Sequence, residues 1–259
     1  MDLQRFLSFR MEKDFLTNIF KKSFFCFTGI YGVIGILTNP FFLIRKNLYH
    51  NINELAAGIK GKVLDFVCGS KPYRNLFVNC DEYIGCDIEV SGHSHENENV
   101  DVYYDGKTLP FKDNTFDGVV SSEVFEHVFN LEDIVKELNR VLKTGGEMLV
   151  TVPFVWNEHE IPYDFGRYTS FGISAILERN GFEVMELRKS TTYVEALATM
   201  EAEYIRSTLA KYIKNYKLMI LCNMVFIAPI SFCGLMAGKI LPNNETWFCE
   251  SVVKCRKIR

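Results

Sequence analysis

The chain has little surplus of either charge. Its 29 Lys and Arg face 32 Asp and Glu, a formal net charge of −3 with an isoelectric point near 6.0. Without a chain-wide cationic field, duplex nucleic acid is excluded as the main partner. The cysteines lack a pattern as well. Cys26, Cys68, Cys80, Cys86, Cys222, Cys233, Cys249 and Cys255 contain no C-x-x-C pair and no Cys/His ligand spacing, which leaves structural zinc without ligands. No cleavable leader is expected, because Arg5, Arg10, Glu12, Lys13, Lys21 and Lys22 interrupt the opening segment and no A-x-A-like site follows it. Free thiols in a reducing cytosol follow from these absences. His93 and His95 are spaced as a metal pair, but they stand in an Asn/Glu run that reads as a solvated loop, so no metal site is expected.

What is present in quantity is apolar side chains, 48% of the 259 residues. That content excludes general disorder and suits one α/β-sized domain with room for an appendage. The mean hydropathy of +0.02 is high for a plainly soluble domain, and the excess is concentrated in two uncharged runs, Ser23 to Ile44 and Leu218 to Gly238. Each meets the requirement of about 20 residues for crossing a bilayer. Each also holds a late proline, Pro40 or Pro229.

Between the runs, strand and helix patterns alternate. Leu48, Ile52, Leu55, Ala56 and Ile59 share a helical face that ends before Gly61. Residues 62–67, 83–87, 100–104 and 116–122 read as short buried strands, and Leu131, Ile134, Val135, Leu138, Val141 and Leu142 form an apolar stripe at helical spacing behind Asn130 as the expected N-cap. A strand over 147–154, a helix from Ser170 to Asn180, a strand over 182–187 and a last strand over 250–255 complete the series. Alternation of this kind predicts a parallel sheet covered on both faces.

Ligands of such sheets bind beyond the carboxyl ends of the strands, near the switch point beside the first one. There the sequence reads VLDFVCGSKPY, an acidic residue closing a strand before a small-residue turn, whose backbone N–H groups suit an anionic group. Twenty-two residues after Asp65 comes Asp87, at the end of the second strand, a placement that suits ribose hydroxyls.

The run VLDFVCGSKPY, followed in order by YIGCD, DGKTLPFKDNTFDGVVSSEVFEHV and RVLKTGGEMLVTVPF, resembles the class I S-adenosylmethionine-dependent methyltransferases, type 11 group, from about Gly61 to Leu187. The resemblance implies a Rossmann-like doubly wound seven-stranded sheet and S-adenosyl-L-methionine as cofactor. It implies that Asp65 to Gly69, with Val67 between them, hold the methionine part, that Asp87 takes the ribose, that Asp105 accepts from the adenine, and that Ser122 and Glu123 flank the sulfonium. Two positions depart from the family, which usually carries glycine where this chain has Val67 and Lys71. A β-branched residue resists φ > 0, so a non-catalytic binding or scaffold module with a degenerate cofactor loop is the alternative reading.

Directly after the fifth strand, residues 156–168 (WNEHEIPYDFGRY) gather a His, three carboxylates, an Arg and four aromatics on the rim where substrate must enter. H-E-x-P-Y-D-x-x-R-Y-T resembles a signature of one type 11 subgroup. His159, with Glu160 beside it, is the first candidate for general base, and His127 in Glu126-His127-Val128 is the second. The rival role for this loop is structural, with Asp164 and Arg167 paired to pin it and His159 as a hydrogen-bonded lid residue.

The C-terminal apolar run is limited by topology. If the last strand joins the sheet, both ends of Leu218 to Gly238 lie on one side of any membrane, so a helical pair broken at Pro229 is expected. The preceding helix, Tyr193 to Lys217, places Val194, Leu197, Tyr204, Ile205 and Leu209 near one face with Lys211, Lys214 and Lys217 close by, a pattern suited to an anionic headgroup surface. The N-terminal run could span the bilayer or form an interfacial hairpin. The organisation expected is an apolar N-terminal helical region (1–60), a methyltransferase core (61–190), a membrane-facing helical insertion (191–245) and a final core strand (246–259). The function expected is methyl transfer at the cytoplasmic side of a membrane, to an amphipathic small-molecule, lipid-linked or glycan acceptor.

Overall fold

The computed structural model describes residues 29–89 and 99–259, so Cys26, His93 and His95 lie outside the described residues. The chain divides into two compact units, Met1–Asn47 with Thr191–Trp247, and Leu48–Ser190 with Phe248–Arg259. Helices α1 (Gly29–Thr38) and α2 (Phe42–Ala56) precede strands β1 (Gly61–Phe66), β2 (Cys80–Ile88), β3 (Val102–Tyr104) and β4 (Phe116–Ser122). Helix α3 (Leu131–Val141), β5 (Leu142–Pro153), α4 (Ser170–Arg179) and β6 (Phe182–Lys189) follow, and α5 (Tyr193–Tyr212), α6 (Tyr216–Cys222) and α7 (Ala228–Ile240) lead to β7 (Glu250–Lys257).

The larger unit is built on one seven-stranded sheet in the order β3-β2-β1-β4-β5-β7-β6. Its neighbours pair in parallel except β7, which runs antiparallel to both β5 and β6. The strands succeed one another outward from β1 on one side and then from β4 on the other, so the switch point lies between β1 and β4. The Rossmann-like α/β sheet expected from the sequence is the one found.

Its core follows from the sequence pattern. Val63, Leu64, Phe66, Val119, Met148, Leu149 and Val150 are fully buried, as residues of parallel strands covered on both faces must be. Helix α3 buries Leu131, Ile134, Val135, Leu138 and Val141, which at roughly 2 kcal/mol per apolar side chain contributes on the order of 10 kcal/mol. Asn130 occupies its N-cap position but makes no side-chain cap bond, contrary to expectation. Its carbonyl closes the first turn by accepting the N–H groups of Asp133 and Ile134, which leaves the side chain on a cleft wall. Gly181, at φ +89°, closes α4 in the left-handed conformation that glycine adopts without strain.

In the other unit, Phe42, Leu43 and Ala198 are buried against Ile36, Ile230 and Leu235. Helix α5 starts with a capping box in which Thr192 and Glu195 each bond the other's backbone. The N-terminal apolar run is not one helix: α1 and α2 are separated at Asn39-Pro40, where Asn39 Oδ1 accepts the Phe41 N–H at 3.0 Å. The expected break at Pro229 is absent. A π-turn over Asn223–Ile227 shifts the bonding so that the Ala228 N–H reaches Asn223 O, and Pro229 falls in the first turn of α7, where a missing N–H costs little. The result is one continuous helix, Tyr216–Ile240, of 25 residues with mean hydropathy 2.2, long and apolar enough to cross a membrane.

Candidate active site

The turn after β1 is tight because three of its five residues are left-handed: Val67 (φ +54°), Gly69 (+46°) and Lys71 (+55°). For valine this conformation costs roughly 1–2 kcal/mol, set against packing of its side chain on the main core cluster. The backbone therefore has the shape a glycine would give it, with valine in place. Lys71 also has a structural role. Its ammonium pairs with Asp101, which in turn accepts the Gly85 N–H at 2.7 Å. A Cβ on Gly85 would lie 2.2 Å from Lys71 Cε and 2.5 Å from Cys68 Sγ, so a larger residue would displace the Lys71 side chain.

Two acidic residues hold this turn from below. Asp65 is buried and accepts the Tyr83 hydroxyl at 2.7 Å. Burial pushes its carboxyl up to about 7, against the lowering effects of the Tyr83 bond and Lys71. Asp87 is fully buried; Oδ2 accepts the Gly69 N–H and Oδ1 the Ile88 N–H, both at 2.8 Å. It thus ties the turn to the end of β2, while Ile88 lines the cleft above it. Asp105 is exposed, and Oδ1 accepts the N–H groups of Lys107 and Thr108, bonds that hold its carboxyl below the usual range.

A cleft of about 640 Å³ runs along these strand ends, walled on one side by Val67, Gly69, Ile88 and Tyr104 and on the other by Glu123, His127, Phe129 and Glu160. A second cavity of about 230 Å³ is lined by Asp65, Val67, Gly69, Tyr83 and Ser122, so Val67 borders both. Glu123, at φ +54°, accepts the Thr151 hydroxyl at 2.7 Å, and that hydroxyl lies 3.0 Å from Ser122 Oγ. Burial pushes Glu123 up to about 7.

The loop over 156–168 is pinned as its sequence suggested. Arg167 forks onto Asp164 at 2.6 and 2.7 Å and donates to Asn157 O at 2.7 Å. The Arg167 bonds and the His159 N–H, at 2.9 Å, hold Asp164 at about 2 against the opposing effect of its burial. The loop is anchored at its base by the Glu126 carbonyl, which accepts the Phe165 and Gly166 N–H groups. Of the three expected catalytic residues, His127 and Glu160 line the cleft, with His127 Nε2 3.8 Å from Glu160 Oε2. His159 packs edge-on against His127, ring centroids 4.7 Å apart.

In Glu126-His127 the sequence marks the histidine and carries no local signal for the glutamate. Glu126 is fully buried, and neither carboxylate oxygen has a hydrogen-bond partner among the described residues. Burial and the nearby Glu123 push its carboxyl well above the ordinary range. Although no metal ligand was expected, one ligand atom each from Glu126, His127 and His159 lie within 4.8 Å of one another.

Residues 64–150 match the family model described as a methyltransferase domain. A protein of Mycolicibacterium smegmatis named as a probable S-adenosylmethionine-dependent methyltransferase is 28% identical over 172 residues, 64% of each chain. The demethylmenaquinone methyltransferase of Streptomyces griseus is 32% identical over 94 residues, 34% of this chain and 41% of the relative. The chain thus covers less than two thirds of either relative. Among solved structures, a phosphoethanolamine N-methyltransferase of Haemonchus contortus in complex with S-adenosyl-L-methionine superposes with a TM-score of 0.51 at 19% identity, over 93% of this chain and 60% of that one, a likeness of fold.

Proposed function

From a chain that belongs to the class I S-adenosylmethionine-dependent methyltransferases, we propose an enzyme that moves the methyl group of S-adenosylmethionine to an apolar or amphipathic acceptor met at the cytoplasmic surface of a membrane. The observation that carries the transfer is the cleft at the carboxyl ends of β1, β2 and β4, bordered by the Val67–Gly69 turn and by Glu123. The residues present fit this cofactor. Its sulfonium and ammonium groups are cationic, and Asp65 and Glu123 are carboxyls kept near half-charged by burial, which a neighbouring cation returns to the charged form. Asp65 and the Val67–Gly69 turn would hold the methionine part, and Ile88 at the end of β2 would face the ribose side, with the buried Asp87 behind it fixing the turn. Asp105 would meet the adenine through the Gly106–Lys107 turn, and Ser122 with Glu123 would flank the sulfonium. Bound there, the cofactor supplies the electrophilic methyl group.

The chain's own part is positioning and proton handling. His127 Nδ1 faces the Tyr163 carbonyl at 2.8 Å, and since a carbonyl only accepts, Nδ1 carries a proton, so that the neutral ring presents its Nε2 lone pair beside Glu160. An apolar acceptor is supported by the mouth of the cleft, where Phe129 and Phe165 pack edge to face at 5.3 Å and stay exposed with Ile161 and Tyr163. The relative named for demethylmenaquinone, a quinone, points the same way. Membrane association is supported by the exposed apolar side chains of the Tyr216–Ile240 helix, Leu221, Val225, Phe226, Phe232 and Ile240 among them. Because β7 pairs with β6, a single crossing by this helix would separate paired strands, so the reading is a helix lying in the surface. The cysteines among the described residues are free, in keeping with the cytoplasmic side.

Incubating the protein with methyl-labelled S-adenosylmethionine and a membrane lipid extract tests the proposal. Label is expected in the organic phase, with transfer reduced on the order of a hundredfold by His127→Ala and donor affinity unchanged. Label confined to water-soluble acceptors would remove the apolar acceptor, and no transfer to any acceptor would remove the activity.

A further inference from the structure

Beside the cleft stands a group of side chains that methyl transfer alone does not account for. Glu126 places a fully buried carboxyl, without any hydrogen-bond partner among the described residues, 3.7 Å from His127 Nε2. Burying such a group unpaired is costly. Something must satisfy it, either a proton or a cation.

Both histidines are arranged as metal ligands are. His127 Nδ1 faces the Tyr163 carbonyl at 2.8 Å. His159 Nδ1 faces the Asn157 carbonyl at 3.2 Å and Asp164 Oδ2 at 3.3 Å. These partners only accept, so each ring is protonated at Nδ1 and, when neutral, has its lone pair on Nε2. A carbonyl or carboxylate accepting from the remote N–H is what orients a coordinating imidazole and raises its basicity. Arg167 fixes both groups that face His159 Nδ1, since it donates to Asn157 O and grips Asp164. The pinned loop therefore delivers a histidine in a set tautomer against a buried carboxylate.

The spacing admits an ion. Three ligand atoms within 4.8 Å of one another leave a point no more than about 2.8 Å from each, and contraction to metal–ligand distances of about 2.1 Å requires side-chain shifts below about 1 Å. Two imidazoles and one carboxylate suit zinc, manganese, iron(II) or cobalt better than magnesium or calcium, which prefer all-oxygen shells. We propose that Glu126, His127 and His159 bind one divalent transition-metal ion on the wall of the cleft, with Glu160 at its open side. The site stands without the methyl-transfer reading. Its consequence rests on that reading: with the ion bound, His127 serves as a ligand rather than as the base, an acceptor oxygen in the open position would be held beside the donor with its proton made more acidic by the metal, and Glu160 would take that proton.

The test is titration of the chelator-treated full-length protein with cobalt(II), followed by visible absorption and by calorimetry. One ion per chain is expected, with the absorption of a histidine-ligated site. His159→Ala and Glu126→Gln should each weaken binding at least about tenfold, while both variants still bind S-adenosylmethionine. That second measurement separates loss of the metal from loss of the fold, and a failed metal site from a failed cofactor site. Wild-type protein that binds S-adenosylmethionine but takes up no stoichiometric cobalt, or cobalt binding indifferent to both substitutions, would overturn the proposal.

Discussion

A carboxyl held near pH 7 at the end of the first strand is a proton store that a cationic ligand must empty. Asp65 reaches about 7 through burial. The ammonium of the donor's methionine part binds best when Asp65 is charged, so binding releases the proton and affinity rises with pH. The expected gain from Asp65 is about tenfold between pH 6 and pH 8, and Asp65→Asn removes that share and leaves the part due to Glu123, as read by calorimetry across a buffer series. A flat wild-type profile would contradict this role. For the cofactor-free protein the sign differs. A carboxyl raised in the fold adds stability in full below its ordinary value near 4 and loses it as pH rises through 7. Asp164, held at about 2, adds stability above the ordinary value and loses it as pH falls toward 2. At this scale the turn residues were legible, because an acid closing a strand before small residues is a local signal. Glu126 was not, since its surroundings are set by tertiary structure: Phe165 and Gly166, about 40 residues along the chain, return to bond its backbone carbonyl.

Among the elements, the loop over 156–168 shows how two charged residues fix a larger group. The Asp164–Arg167 fork sets His159, spans the Asn157 carbonyl, and lies within electrostatic reach of Glu123 and Glu126. Arg167→Lys keeps the charge and removes the planar fork, which is not a conservative change at a bidentate site. The turnover number is expected to fall about tenfold or more, with donor affinity within about threefold, since the Val67–Gly69 turn is held by separate bonds. Equal losses in turnover and donor affinity would show that the loop supports the cofactor site instead. Helix α3 was read correctly because its stripe is nearly free of error. The π-turn ahead of Pro229 was not, because its shifted bonding leaves no trace in composition. The cap at Asn130 was misread for a similar reason: residue type alone does not say whether a side chain bonds its own helix or faces a cleft.

For the whole molecule, the small net charge of −3 and the concentration of apolar residues have separate consequences. The mixed-charge half builds a sheet whose order and switch point follow from alternating strands and helices, and this part of the fold was legible almost entirely. The apolar runs specified helices but not their continuity: Asn39-Pro40 divides the first, whereas the second runs unbroken from Tyr216 to Ile240. What the sequence left undecided about Val67 is narrowed by its φ of +54°, the left-handed conformation that favours glycine. Cofactor binding is therefore the central claim. S-adenosylmethionine titrated calorimetrically into the full-length chain, with S-adenosylhomocysteine as competitor, tests it most directly. One site per chain, displaced by the competitor, is the predicted result, and neither heat nor competition at millimolar ligand would contradict the account.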